Sequence, residues 1–310
     1  MRLRPLVLAA AWVLAGAAVA AEPPALRLVD DGGHEVTLAH PARRIVALAP
    51  HLTELVYAAG AGGQLVAVGK FSDFPPAARA LPVISDAFAV NYEALTQLKP
   101  DLVLVWGSGT AERTKSKLRS LGVPVYEIEI RSVAGLADTL RSIGRLAGTE
   151  GVAQARAQAI SNDWSALRAT YAGRKPVRVF YQLWDAPLMT LSNQHLISSA
   201  IAACGGTNVF GELPTLTATV SWEAAVQRDP ELVLTGSAPR ELAKPGRWSE
   251  FAQVSATRHG EFASIEGDLI ARSGPRFVDG ARELCLAVDR ARQGLPPLAF
   301  PLGDAAGATR

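Results

Sequence analysis

This sequence is short of the patterns that make enzymes. It has no HExxH, no GxxxxGK[ST] and no GxSxG, so the common zinc-hydrolase, phosphate-loop and serine-hydrolase signatures are missing. Gly60-Ala61-Gly62-Gly63 follows a helical pattern rather than a strand and lacks a third spaced glycine, so it reads as a helix stop and turn. The five histidines stand at 34, 40, 51, 195 and 259, with no metal-ligand spacing among them; no bound metal or catalytic residue is expected. An excess of one charge is also lacking. There are 31 basic and 29 acidic residues, and setting aside Arg2 and Arg4 leaves 29 of each. A nucleic-acid partner would need a basic surplus. The densest basic run, Arg113, Lys115, Lys117 and Arg119, alternates with polar residues and is expected to face water. Beyond residue 20 no apolar run reaches the roughly 18 residues of a membrane-spanning helix.

Those first 20 residues have their own logic. Arg2 and Arg4 precede an apolar stretch from Leu6 to Val19, and Ala18-Val19-Ala20 puts small residues where a signal peptidase cuts. A cleavable secretory signal over 1–20 is therefore expected, with no cysteine following it to carry a lipid. Only two cysteines exist, Cys204 and Cys285. In an oxidising compartment an even pair is most simply a disulfide; a redox pair or metal ligation would want a CxxC or nearby histidines.

At 49% hydrophobic and 19% charged, the chain can bury a substantial core. Leu26–Leu38 alternates around Asp30-Asp31-Gly32-Gly33 and reads as a hairpin. Strands at 45–49, 66–69, 102–106 and 125–128 then alternate with helices at 53–59, 92–98, 111–120 and 133–147. One long helix fills 149–171, and the alternation resumes with a strand at 177–184, a helix at 198–203, a strand at 232–235 and a helix at 277–290. Alternation of this kind predicts an α/β fold with parallel sheets. The expected division is an N-terminal lobe over 22–147, a linking helix over 148–173, a C-terminal lobe over 174–292 and a loose tail over 293–310.

An internal repeat supports two similar lobes. The stretch from Asn91-Tyr92-Glu93-Ala94 to Pro100-Asp101-Leu102-Val103-Leu104 matches that from Ser221-Trp222-Glu223-Ala224 to Pro230-Glu231-Leu232-Val233-Leu234 without a gap. Asn91 and Ser221 suit helix N-caps, and Glu93 and Glu223 lie at the positive helix ends. Each Glu either stabilises its helix start or forms one of two equivalent knobs for a symmetric partner. The aromatics are few (6%) and fall at strand ends and loops: Phe71, Phe74, Phe88, Tyr92, Trp106 and Trp184. That placement suits a broad apolar ligand in a cleft. His51 sits past a strand at the carboxyl edge, where such sheets place ligands, and either caps the next helix or touches ligand. Asp268 and Arg272 either pair with each other or bond a polar ligand rim.

Several segments, IVALAPHLTEL (45–55), FSDFPP (71–76), KPDLVLVW (99–106), ACGGTNVF (203–210) and 268–285, resemble the periplasmic cobalamin-binding proteins of ABC importers. These are helical-backbone substrate-binding proteins, a group that also includes heme and siderophore carriers. The resemblance runs from about Arg44 to Arg290. It implies two Rossmann-like lobes, each a mainly parallel sheet with flanking helices, joined by one long backbone helix with little hinge motion. It further implies a periplasmic, non-enzymatic monomer that holds cobalamin between its lobes and delivers it to an inner-membrane ABC permease dimer. By this resemblance Phe71 and Trp106 contact the corrin, Asp268 and Arg272 stand on the ligand rim, Glu93 and Glu223 dock into the permease, and Cys204–Cys285 is the disulfide. The sequence departs at Ala87 and Thr217, which replace tryptophans, and at Met189, which replaces a phenylalanine. Phe88, Trp184 or Trp222 stand as compensating rings. A heme or ferric-siderophore carrier is the alternative in the same class, favoured if Tyr92 or His51 served as an axial ligand. A secreted α/β enzyme is the alternative outside it and would need a convergent nucleophile, acid pair or metal site in the cleft.

Overall fold

The apolar runs of the sequence become strands buried on both faces, and the polar patterns between them become the helices that cover them. A computed structural model describes residues 25–237 and 245–296; the expected signal segment 1–20 and positions 297–310 of the expected tail lie outside the described residues. The N-terminal half runs β1 (Leu26–Val29), β2 (Glu35–Leu38), β3 (Ile45–Ala47), α1 (Pro50–Ala58), β4 (Leu65–Gly69), β5 (Val83–Ser85), α2 (Tyr92–Leu98), β6 (Leu102–Trp106), α3 (Glu112–Ser120), β7 (Val125–Ile128) and α4 (Val133–Ala147). The long helix α5 (Glu150–Tyr171) follows. The C-terminal half runs β8 (Val177–Gln182), β9 (Met189–Leu191), α6 (Leu196–Ala203), β10 (Gly206–Asn208), β11 (Thr217–Thr219), α7 (Trp222–Gln227), β12 (Leu232–Ser237), α8 (Ser255–His259), β13 (Phe262–Glu266), α9 (Gly267–Ile270) and α10 (Phe277–Gln293).

Two parallel sheets result, in the orders β5-β4-β3-β6-β7 and β10-β8-β12-β13, while β1-β2 and β9-β11 are antiparallel pairs. Alternate residues of the central strands divide between separate clusters. Ile45, Ala47, Leu102 and Leu104 of the first sheet, and Val179, Tyr181, Leu232 and Leu234 of the second, share one core. Val46, Val103 and Val105 enter a cluster private to the first lobe, and Phe180 and Val233 one private to the second. The shared core continues through Ala153, Ala157, Ile160, Leu167 and Tyr171, with the partly buried Trp164 packed against it, so that the contacts recur every three to four residues along α5. At about 1.5 Å per residue this helix is some 33 Å long. Its close seat against α4 needs Gly144, where a Cβ would come within 2.4 Å of the Ala153 Cβ. A core continuous across both lobes resists hinge bending, because bending would open packed apolar surface. No helix among the described residues is long and apolar enough to cross a membrane.

Some expectations shift. α1 begins at Pro50 rather than Thr53, since proline is pre-organised for a first helical position. α10 runs on to Gln293, where Gly294 at φ 65° ends it, so the expected tail loses its first residue to the helix. Lys115 turns inward instead of facing water, held 3.0 Å from Glu127. Asp30, His34 and Glu127 gather nearby, but Glu127 is also met by Arg119, so the cluster is an ion network. Cys204 and Cys285 form a disulfide that joins the end of α6 to α10.

The repeat folds as the same device twice. Asn91 Oδ1 accepts from the Ala94 N–H at 3.0 Å and Ser221 Oγ from the Ala224 N–H at 3.1 Å. Lys99 and Asp229, each before its proline, take left-handed φ values of 45° and 43°. Asp101 accepts from the Arg44 N–H and Glu231 from the Arg178 N–H, so each acid ties its strand to the neighbouring one. Glu93 and Glu223 are both exposed in the first turn of their helices.

Candidate ligand-binding site

The carboxyl ends of β3, β4, β5 and β6 open into one pocket of about 780 Å³, counted out to its mouth. Ligands of parallel α/β sheets bind at this edge because the loops there diverge and leave a crevice. Its wall is mostly apolar, and three sequence-predicted rings meet on it: Phe71 after β4, Phe88 after β5 and Trp106 at the end of β6. Phe71 and Phe88 are 68% and 87% exposed. So much bare aromatic surface on one concavity marks a site that binds an apolar face. Ala87 lies among them, where the resemblance has a tryptophan.

Each ring is held by local chemistry. The Asp86 carboxylate accepts from the Phe88 and Ala89 N–H groups at 2.8 and 2.9 Å, which forms the turn that projects Phe88. Trp106 lies flat over Gly109, where any Cβ would come within 1.9 Å of its ring. Phe71 has φ 67°, the left-handed region that aromatic residues avoid, with the Lys70 ammonium 5.2 Å from its ring centre. A strained backbone at a binding wall costs about 1–3 kcal/mol and persists only where neighbours enforce it.

His51 neither caps α1 nor lines the pocket. It is 6% exposed inside α1, with its ring edge-on to Trp106 at 5.2 Å. Burial, with the nearby Arg272 charge, pulls its pKa down to about 4. Tyr92 likewise packs on the core private to the first lobe, away from the pocket lining. Neither ring suggested as an axial ligand is offered to the pocket.

On the second lobe, Trp184 is 64% exposed beyond β8, its indole N–H donating to the Ala186 carbonyl at 3.1 Å. Met189 pairs with Trp184 and with Thr219, and Thr217 lies on β11 in the same ribbon. None of these three belongs to the lining of the first-lobe pocket. Trp222 does not compensate for missing rings: it is stacked on Phe251 and set edge-on to Trp248 in the C-terminal core.

Between the lobes lies a charged floor that the sequence showed only in part. Arg272 pairs with Asp268 at 3.0 Å, one of the two expected options, and also reaches Asp73 at 2.8 Å and Glu54 at 3.1 Å. Arg276 donates twice more to Glu54, at 2.9 and 2.7 Å, and its guanidinium sits 4.0 Å above the Phe74 ring. Burial by itself would lower both arginine pKa values, but their carboxylate bonds outweigh it and raise them. Glu54 and Arg276 went unnoticed in the sequence. The signal was there: a single carboxylate within the apolar run of α1 must find a cation when buried. Removing Glu54 alone would leave Arg276 without a carboxylate partner among the described residues, while Arg272 keeps Asp73 and Asp268; breaking a buried pair in this way costs about 3–5 kcal/mol.

His195, half-buried, is the N-cap of α6, its Nδ1 accepting from the Ile197 N–H at 3.1 Å. Burial lowers its pKa to about 4. For both His51 and His195 the unfolded chain, near pH 6.5, takes up protons first. Their contribution is complete above about pH 6.5 and is lost as pH falls toward 4. Between pH 7.5 and 5 each histidine should cost about 2 kcal/mol of unfolding free energy. Glu261 and Glu283, raised by burial, act in the opposite sense. Urea unfolding of His195→Asn, which keeps a capping acceptor that does not titrate, should therefore show a shallower acid loss than the parent. Equal slopes would refute the assignment.

A parallel two-lobed body, one continuous core and a ring-lined crevice make a binding cleft. The family model described as periplasmic binding protein matches residues 45–267. The chain belongs to that family. Among its relatives is the vitamin B12-binding protein of Vibrio cholerae, 33% identical over 246 residues, spanning 79% of this chain and 88% of the relative. That of Pectobacterium carotovorum is 31% identical over 246 residues, 78% of this chain and 87% of the relative. The crystal structure of the periplasmic vitamin B12 binding protein BtuF of Vibrio cholerae superposes with a TM-score of 0.74 at 32% identity, covering 82% of this chain and 99% of that one. The periplasmic heme-binding protein HutB of Vibrio cholerae shares the fold at 23% identity and a TM-score of 0.67, covering 78% of this chain and 97% of that one. The family match takes in most of both lobes and the helix between them, leaving out the β1-β2 pair and α10.

Proposed function

We propose that this periplasmic binding protein captures cobalamin between its lobes and delivers it to an inner-membrane ABC permease, making and breaking no bonds. The observation that carries the reading is the first-lobe wall, where Phe71, Phe88 and Trp106 present bare rings on one concavity. A corrin is a broad, largely apolar macrocycle that such rings can cover. Identity of 31–33% to proteins named for vitamin B12 binding supports the same ligand. Trp184 and Met189 would meet the ligand from the second lobe, and Asp268 would offer acceptors at the rim, with Arg272 held beside it. With His51 buried and Tyr92 packed against the first-lobe core, both outside the pocket lining, a heme reading finds neither suggested axial ligand on this wall.

Residues 1–20 would direct export and be removed, and the mature protein would act as a monomer. Glu93 and Glu223, exposed at equivalent helix starts, would each enter a basic pocket on one half of the permease dimer.

Calorimetric titration of the mature protein tests the ligand. Cyanocobalamin should bind one-to-one, with hemin and a ferric siderophore giving no comparable heat. Trp106→Ala should weaken corrinoid binding about tenfold, the loss of one well-packed aromatic contact. Heme or siderophore binding without corrinoid binding would keep the fold and move the ligand.

A further inference from the structure

The loop that carries Phe71 is pinned at three consecutive residues, and two of the pins come from the other lobe. Ser72 is buried and its Oγ accepts from the Thr53 hydroxyl on α1 at 2.9 Å. Asp73 accepts from Arg272 at 2.8 Å, and Phe74 lies beneath the Arg276 guanidinium at 4.0 Å. Both arginines belong to the C-terminal lobe, and both donate to Glu54, whose side chain is 2% exposed. Glu54 adjoins Thr53, so α1 organises all three pins from adjacent positions. They follow directly on Phe71, whose backbone is left-handed and whose side chain has no hydrogen-bonding group to hold it there.

We propose that Glu54 is a positioning residue for ligand capture: it orients Arg272 and Arg276, which hold Asp73 and Phe74 and so aim the Phe71 ring into the cleft. The aim of that ring is thereby coupled to the spacing of the lobes, since the pins fail if the C-terminal lobe withdraws. Residues that act through a shared neighbour depart from additivity, and this is what separates positioning from general stabilisation. The role in capture rests on the corrinoid reading; the control of the loop does not.

Two measurements on the full mature protein test this. Amide hydrogen exchange of the ligand-free Glu54→Gln variant should be about tenfold faster at Ser72 and Asp73, with the β1-β2 hairpin unchanged. Unchanged exchange at the loop, or a uniform rise over the whole chain, overturns the proposal. Cyanocobalamin affinity should fall about tenfold in Glu54→Gln and fall no further when the same change is made in Phe71→Ala. Additive losses would overturn the route through Phe71. If the parent protein binds no cyanocobalamin, the corrinoid reading fails and the exchange measurement still decides the loop. Should Glu54→Gln not fold, Phe74→Leu removes one pin and leaves the Glu54 ion pairs in place. It too should quicken exchange at Ser72 and Asp73, and no change there would refute the model.

Discussion

The double variant Glu93→Ala, Glu223→Ala should lose permease-coupled cobalamin uptake while keeping its affinity for the ligand. Both carboxylates stand exposed in the first turn of their helices, and neither joins an ion pair among the described residues. The Glu223 carboxyl is held below its ordinary range by its own N–H, the Ser221 hydroxyl and the nearby Arg247 charge, so it is ionised at neutral pH. Their structural worth is small, because an exposed charge at a helix N-terminus is screened by water and salt. Truncating one member of a desolvated charge pair at an interface costs about 2–5 kcal/mol. Losing two should weaken docking a thousandfold or more, enough to abolish uptake. Uptake of labelled cobalamin in cells that depend on this protein, beside calorimetry on the purified variant, separates the cases. Normal uptake would refute docking, and lost ligand affinity would place these residues in the pocket.

The second large effect concerns the disulfide. Cys204 and Cys285 are fully buried and lie 81 residues apart in sequence. Closing a loop of that length removes about 4–5 kcal/mol of chain entropy from the unfolded state. The paired variant Cys204→Ala, Cys285→Ala should lose stability of that order and melt about 10 °C lower. Calorimetry of the variant, and of the parent with and without reductant, measures it. The secreted parent should also show no titratable thiol, and a free pair would sink the claim. The bridge ties α6 to α10, helices that pack on the shared core, so its loss should loosen the C-terminal lobe before the first-lobe pocket.

Much of the architecture was legible because it rests on local chemistry. Continuous apolar runs could only be strands buried on both faces, and Asn91 and Ser221 announced helix starts that their side chains do cap. The repeat was visible because one mechanical problem is solved twice: a helix must turn before a proline and tie its strand to the next. The short strands β5, β9, β10, β11 and β13 were not legible, since segments of three to five residues acquire strand geometry only from their neighbours.

At the site, the rings Phe71, Phe88 and Trp106 could be named in advance, because aromatics at strand ends have no core to enter. Their company could not. Trp222, the same residue type as Trp106 but placed at the start of α7, is stacked in the C-terminal core. His51 stands at the predicted edge but points beneath Trp106. Arg272 and Arg276 meet Glu54 across more than two hundred residues, a distance at which no sequence spacing carries information. By itself the sequence determined the α/β class, the two lobes, the cysteine pairing and the aromatic character of the cleft, all of which follow from composition, local order and few alternatives. Only the tertiary structure decided which side chains face the cleft and which hold it open. Burial and charge pairing are settled by what lies opposite in space, and the opposite wall here comes from the other lobe.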